Sequence, residues 1–162
     1  MIEVITIDFW NTLFDSSGGT VRNDMRRKAL LAAIEKYGKL VSNEEFDRAL
    51  RASWEHFNGI WRNEMRTPKV IDSVSFFWNY LELPQDEFAI QALANYFAES
   101  VILHPPKLID GVENQLIKLS KKYKIGLISD TGFSPGAVLK RLMERVGIAQ
   151  YFSAFSFSDE TG

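Results

Sequence analysis

The feature that most limits what this chain can fold into is an interruption. Two short β-branched runs, each ending in a polar residue, are separated by a stretch filling half the chain that has helical spacing and no strand alternation. The first run, Val4-Ile5-Thr6-Ile7, ends in Asp8 and reads as a buried parallel strand delivering a carboxylate at its C-terminal end. Asp15 to Thr20 is polar and small, the composition of a turn. From about Asn23 to about Ile102 apolar residues recur three and four apart. Ser42 with Glu45 three later has the arrangement of a capping box, so a long helix is expected from there toward Arg66, stopped by Thr67-Pro68. Helices are expected again over 71–81 and 86–102, parted by Leu83-Pro84 and closed by His104-Pro105-Pro106. Past Gly111 the pattern becomes helix, strand, helix, strand, over 112–122, 124–129, 135–146 and 155–158. Such alternation predicts an α/β fold with a parallel sheet. The expected organisation is a core from 1–19 and 104–162 with an all-helical insertion over 20–103.

Composition removes whole classes of function. There is no cysteine, which excludes disulfides, zinc fingers and thiol catalysis and suits a reducing cytoplasm. A net charge of -2 gives no reason to expect nucleic acid or an anionic membrane as partner. Apolar runs such as residues 29–34 fall far short of the roughly 20 residues a spanning helix requires. The N-terminal stretch carries acids where a secretory signal has an apolar run. A small-molecule substrate is the expected partner.

The candidate chemistry sits at the strand ends, where open α/β sheets bind ligands. A carboxylate there, Asp8, can attack phosphorus or carbon and form an ester that water later opens. Thr12 could orient it. Ser129 ends the second strand, and its hydroxyl could donate to an anionic oxygen. Ser134-Pro135 reads as a helix start with Pro in first position, so amides from Thr131 to Gly136 would favour an anion.

Residues 5–15, with Asp8 and then Thr12 four later, resemble the first motif of the haloacid dehalogenase superfamily, and residues 124–132, ending in Ser129-Asp130-Thr131-Gly132, resemble its second. Leu108 to Val112 is similar to the family's return from cap to core, and the helical insertion to its first-position cap. The resemblance implies a Rossmann-like core and a hydrolase working through an Asp8 ester. It implies catalytic roles for Asp8, Thr12 and Ser129, substrate contact by Trp10, Asn11, Asp130 and Thr131, and Mg²⁺ ligation by Asp8 and the Trp10 backbone carbonyl.

Two departures shape the functional expectation. The family's phosphatases carry a second Asp two residues after the nucleophile, and here that residue is Trp10, whose indole has one N–H donor and no titratable group. Losing a general acid-base group removes about 10² to 10⁴ in rate, whereas halide needs no proton to leave. The family's dehalogenases place an aromatic residue there, so Mg²⁺ is implied for a phosphatase-like enzyme and none for a dehalogenase-like one. Secondly, the resemblance leads one to expect a third-motif Lys and late acids after Gly162. A chain without them is expected to be incomplete, to self-associate through the edge of its first strand, or to be a non-catalytic remnant that only binds. A dehalogenase would also want a cap guanidinium near its substrate, for which Arg22, Arg26 and Arg27 are the nearest candidates, although a solvated helix face is the first expectation for them. The stripe Trp54, Phe57 and Trp61 is expected to pack in the core, and His56 and His104 stand alone with no second ligand at helical spacing.

Overall fold

The computed structural model describes residues 2–161; Met1 and Gly162, which the expected domain bounds include, lie outside them. The elements in chain order are β1 (Val4–Ile7), α1 (Gly19–Lys36), α2 (Asn43–Asn63), α3 (Val70–Tyr80), α4 (Glu87–Leu103), α5 (Val112–Ser120), β2 (Lys124–Ser129), α6 (Gly136–Arg145), a short 3-10 turn (Ala149–Tyr151) and β3 (Ala154–Phe157). The strands form one parallel sheet in the order β1-β2-β3, with Ile7 opposite Leu127 and Ser129 opposite Phe157. Five helices fall between β1 and β2, the first four of them within the insertion, so the α/β sheet with an all-helical insertion is what the chain builds. Among the described residues no helix is long and apolar enough to cross a membrane.

Local chemistry explains most boundaries. The Ser42 hydroxyl accepts from the Glu45 amide at 3.1 Å, and the Asp86 carboxylate accepts from the Ala89 amide at 2.9 Å, each satisfying a helix-start donor that has no partner within the helix. α2 stops short of Arg66 because Met65 takes a φ of 54°, a left-handed conformation that cannot continue a helix. α1 starts earlier than its pattern suggested. Gly18 adopts a φ of 73° and its carbonyl accepts from the Arg22 amide at 2.9 Å, so the end of the expected turn is already helix. Pro135 caps α6 from outside, and Gly136 is the first helical residue.

Two apolar cores hold the parts. One gathers Phe9, Phe14, Ile125, Leu127, Leu139 and Phe157 around the sheet; the other joins Leu30, Phe46, Val74, Phe77 and Trp78 inside the helical insertion. Val101, near the end of α4, belongs to the sheet's core, so α4 spans both. The expectation of a fully buried first strand fails. Among the described residues β1 pairs only with β2, and Val4 is 57% exposed. Ile128 of β2, on the same face but at the other end of the strand, is 54% exposed, while Ile125 and Leu127 on the opposite face are buried. Among the described residues only one face of the sheet is covered, and alternate side chains therefore meet water.

The seat of α6 on β3 has no slack. A Cβ added to Gly136 would run into Cβ, Cγ and Cδ2 of the buried Phe157 ring. Gly136→Ala is therefore expected to destabilise the chain by about 1–3 kcal/mol through overpacking. An unchanged urea midpoint for this variant would show that Phe157 can move aside.

Candidate active site

The parallel register sets the C-terminal edge of the sheet. Asp8 follows the last paired residue of β1, Ser129 ends β2, and Ser158 follows the end of β3. After Asp8 the chain turns sharply. Leu13 and Phe14 amides donate to the Phe9 carbonyl at 3.0 and 3.1 Å, and Asn11 takes a φ of 56°, which Asn tolerates better than most residues. Asp8, Asn11 and Thr12 are exposed in this turn.

Across the edge runs a network of hydroxyls and one carboxylate. Asp130 Oδ1 accepts from the Thr131 amide at 2.9 Å, from the Ser158 hydroxyl at 2.8 Å and from the Thr67 hydroxyl at 3.4 Å. Thr67 also donates to Ser158 Oγ at 2.7 Å, so the connection between α2 and α3 is tied directly to the ends of β2 and β3. The Ser129 hydroxyl gives its proton to the Asp130 carbonyl at 2.9 Å, and a substrate oxygen would compete for it. The start of α6 is taken by the chain itself. The Gly136 amide donates to the Asp159 carboxylate at 3.1 and 3.3 Å. The expected anion seat over Thr131 to Gly136 therefore already holds an anion at its helical end.

A hollow of about 330 Å³ opens here, bounded by Trp10, Asp130, Thr131 and Ser134 from the sheet side and by Arg22 and Arg26 from α1. Of the residues expected at the site, Trp10, Asp130 and Thr131 thus come together. Asp8 lies outside this lining, and Thr12 lines a different hollow with Asp110 and Gly111. The Trp10 ring meets Phe9 edge-on at 4.9 Å and lies 6.0 Å from the Arg22 guanidinium, so it both packs on the core and faces the hollow.

The arginines are not a solvated face. Arg22 is buried and donates to the carbonyls of Ser17 and His104, both at 2.9 Å. Arg26 reaches the Phe97 carbonyl at 3.3 Å and lies over the rings of Phe97 and Phe133. Burial, and then the charge of Arg22, push its pKa down to about 10. It remains a cation at neutral pH; its Nη1 also donates to Asn23 Oδ1 at 3.2 Å, and Nε alone is left without a partner. Arg27 alone meets the expectation in part, half-exposed and paired with Asp47 at 2.7 Å.

Sequence reasoning missed Ser158, Asp159 and Thr67. The first two follow a strand end, the rule that selected Asp8 and Ser129, and could have been found by it; Thr67 joins the site only through tertiary folding. No group of three or more Asp, Glu, His or Cys that could hold a metal forms among the described residues. Asp8 and the Trp10 carbonyl offer two oxygens of the six that Mg²⁺ coordination needs, and these residues do not by themselves fit the ion.

Asp15 fastens the approach to the site. Its Oδ1 accepts from the Ser17 amide at 3.0 Å, the Ser17 hydroxyl at 2.5 Å and the Lys107 amide at 3.0 Å, and these bonds, led by the Ser17 hydroxyl, hold its pKa below the ordinary 3.8. A carboxylate depressed in the folded state stabilises it fully above 3.8 and loses that contribution as pH falls through the folded value. Asp15→Asn should therefore melt lower than the parent at neutral pH, with the gap closing in acid. A gap that stays constant from neutral pH into acid would refute this role.

Comparison with known proteins gives a consistent picture. A family model described as haloacid dehalogenase-like hydrolase matches residues 2–162. A 2-haloacid dehalogenase from Pseudomonas syringae pv. Tomato superposes with a TM-score of 0.64 at 19% identity, covering 99% of this chain and 65% of that one. The Bacillus subtilis protein YfnB, taken for a HAD hydrolase and bound to magnesium, gives 0.52 at 14% identity, with 99% and 65% covered. A Thermotoga maritima protein taken for a β-phosphoglucomutase gives 0.53 at 18%, with 99% and 63% covered. These likenesses show a shared fold, and the chain spans just under two thirds of the length of each. No curated protein matches the sequence.

Proposed function

Because the chain belongs to the haloacid dehalogenase-like hydrolases, we propose that it acts on a small-molecule substrate through a covalent ester on Asp8. The observation that carries this is positional: Asp8 stands directly after β1, on the same sheet edge as Ser129 and Ser158. The division into a core of 1–19 and 104–162 and a helical cap of 20–103 belongs to the same proposal.

In the dehalogenase-like form, a carboxylate oxygen of Asp8 attacks the carbon bearing the halogen. The new C–O bond forms as the C–halogen bond breaks, and halide departs with the electron pair. Water then adds to the aspartyl carbonyl, releasing the hydroxy acid and a proton and restoring the Asp8 carboxylate. No group need protonate the leaving atom, which suits a site where Trp10 stands in place of a second acid. Arg22 and Arg26 would hold the substrate's own anionic group at the hollow. A phosphatase-like form needs Mg²⁺ and a proton donor. The position two residues after Asp8 holds Trp10 and no acid to serve as that donor, so we favour the dehalogenase-like form. Thr12, Ser129, Asn11, Asp130 and Thr131 keep their supporting roles within this proposal.

The test is intact-mass analysis of the 162-residue chain incubated with a series of 2-bromo acids. With no cysteine in the sequence, thiol alkylation cannot contribute. One adduct mapping to Asp8, and lost in Asp8→Asn, is the expected result, and labelling that persists in Asp8→Asn would sink the nucleophile assignment. A chain that binds such acids without labelling would favour a binding role instead, which the displacement of Asp8 from the arginine-lined hollow gives some reason to examine.

The free edge of β1, with exposed Val4 on that strand and exposed Ile128 of β2 on the same open face of the sheet, is also proposed as a route of self-association, since an unpaired strand edge templates pairing with another chain. Sedimentation should show concentration-dependent association that Val4→Lys with Ile128→Lys suppresses. Sedimentation of the parent that does not vary with concentration would exclude it.

A further inference from the structure

A second cavity, of about 400 Å³, lies behind the polar hollow, between α1, α2, α3 and α4. That is the size of a small-ligand pocket. Its wall is apolar and largely aromatic, with Leu30, Trp54, Phe77, Phe97 and Phe133 as principal faces. It is no sealed packing defect, because Trp54 is 51% exposed. Its ring lies 6.0 Å from Phe133, which also approaches Phe57 and Phe97. Asn23, Arg26 and Phe133 border both this cavity and the polar hollow, so the two adjoin.

Two polar atoms at this cavity are fully buried and lack partners: Arg26 Nε and Ser73 Oγ. Ser73 is only 4% exposed, and its carbonyl already accepts the Ser53 hydroxyl at 3.0 Å. An N–H and a hydroxyl stripped of water and left unpaired are costly, and they mark a wall whose Arg26 guanidinium borders both hollows. A guanidinium that has lost water attracts an anion in particular. Neighbouring Arg27 offers no such vacancy, since Asp47 already pairs with it.

We infer that this cavity takes the apolar, ring-sized body of a small organic acid whose anionic group sits at Arg26. The substrate class is then an aryl- or bulky alkyl-substituted acid rather than a sugar phosphate, whose hydroxyls would find no partners on such a wall. Only the link from cavity to reaction rests on the Asp8 proposal; binding of the acid does not.

Calorimetric titration of the 162-residue chain with phenylacetate, acetate and phenylethanol tests this without any turnover. Phenylacetate should bind at least about tenfold more tightly than acetate, the worth of burying a ring. It should also exceed phenylethanol by about tenfold, the worth of a charge-assisted contact. Arg26→Met should bring phenylacetate down to the level of phenylethanol. Leu50→Trp, which fills the cavity, and Trp54→Ala, which opens its half-exposed wall, should each weaken phenylacetate, with melting curves confirming that the variants are folded. Equal affinity for acetate and phenylacetate, or phenylacetate binding indifferent to Arg26→Met and Leu50→Trp in folded variants, would overturn the inference. If Asp8 is labelled by small bromo acids while phenylacetate fails to bind, the cavity assignment falls alone. If phenylacetate binds as expected while Asp8 is never labelled, the cavity assignment stands and the reaction falls.

Discussion

Everything about this molecule's site depends on how a helical block is fastened to the sheet it interrupts. Two segments make the crossing, one leaving β1 and one returning to α5, and they are tied to each other. The Arg22 guanidinium holds the carbonyls of Ser17 on the outgoing side and His104 on the returning side. Asp15 and Lys107 exchange backbone and side-chain hydrogen bonds beside it. A buried guanidinium satisfied by main-chain carbonyls from both segments fixes their separation far better than packing alone, because its donors have a rigid fork geometry. With the first turn of α1 pinned in this way, Arg26 one turn further on is carried over Phe97 and Phe133. The cavity's shape is thus a consequence of the clamp.

Much of the fold was legible in the sequence because its signals are local. Strand β2 was expected over 124–129 and is observed as Lys124–Ser129, since an apolar run bounded by lysines and a Ser-Asp turn leaves little freedom. Ser42 and Asp86 announce their helices because a short polar side chain can satisfy a free amide three residues on. The misses have physical reasons as well. Met65 and Gly18 depart from the expected boundaries through positive φ values that no periodicity reports. β1 looked buried because a parallel strand has two faces to cover, and the sequence cannot say how many of them are covered.

The sequence marked candidate residues at the strand ends, but not which of them the fold gathers. Trp10, Asp130 and Thr131 were foreseen and do share a hollow, whereas Asp8 and Thr12 stand apart from it. Thr67 lies 63 residues from its partner Asp130 along the chain, and nothing near it marks the contact. The arginines were misjudged for a general reason. Arg is mostly exposed, and a helix bearing three of them within two turns suggests a wet face. Which of them turns inward is decided by where the carbonyls of Ser17, Phe97 and His104 come to rest.

The charges at the sheet edge explain why the cap, rather than the core, should govern which anion is accepted. A helix start is ordinarily the core's own contribution to anion binding. Here Asp159 already occupies the first amide of α6, and the Asp130 carboxylate sits at the end of β2, so with Asp8 after β1 the sheet edge carries three carboxylates. In the lining of the hollow Asp130 is the carboxylate, and Arg22 and Arg26, both from α1, are the cations facing it. Arg22 is engaged with two carbonyls and contributes mainly its field, leaving Arg26 as the group with an unfilled donor. Its position is set by aromatic rings of α4 and of the loop after β2, so the same contacts that desolvate the guanidinium also form the apolar wall. If the cavity takes an acid as proposed, anion affinity and preference for an apolar body are therefore not separable. A substitution that enlarges or hydrates the cavity would relieve Arg26 of its need for an anion at the same time.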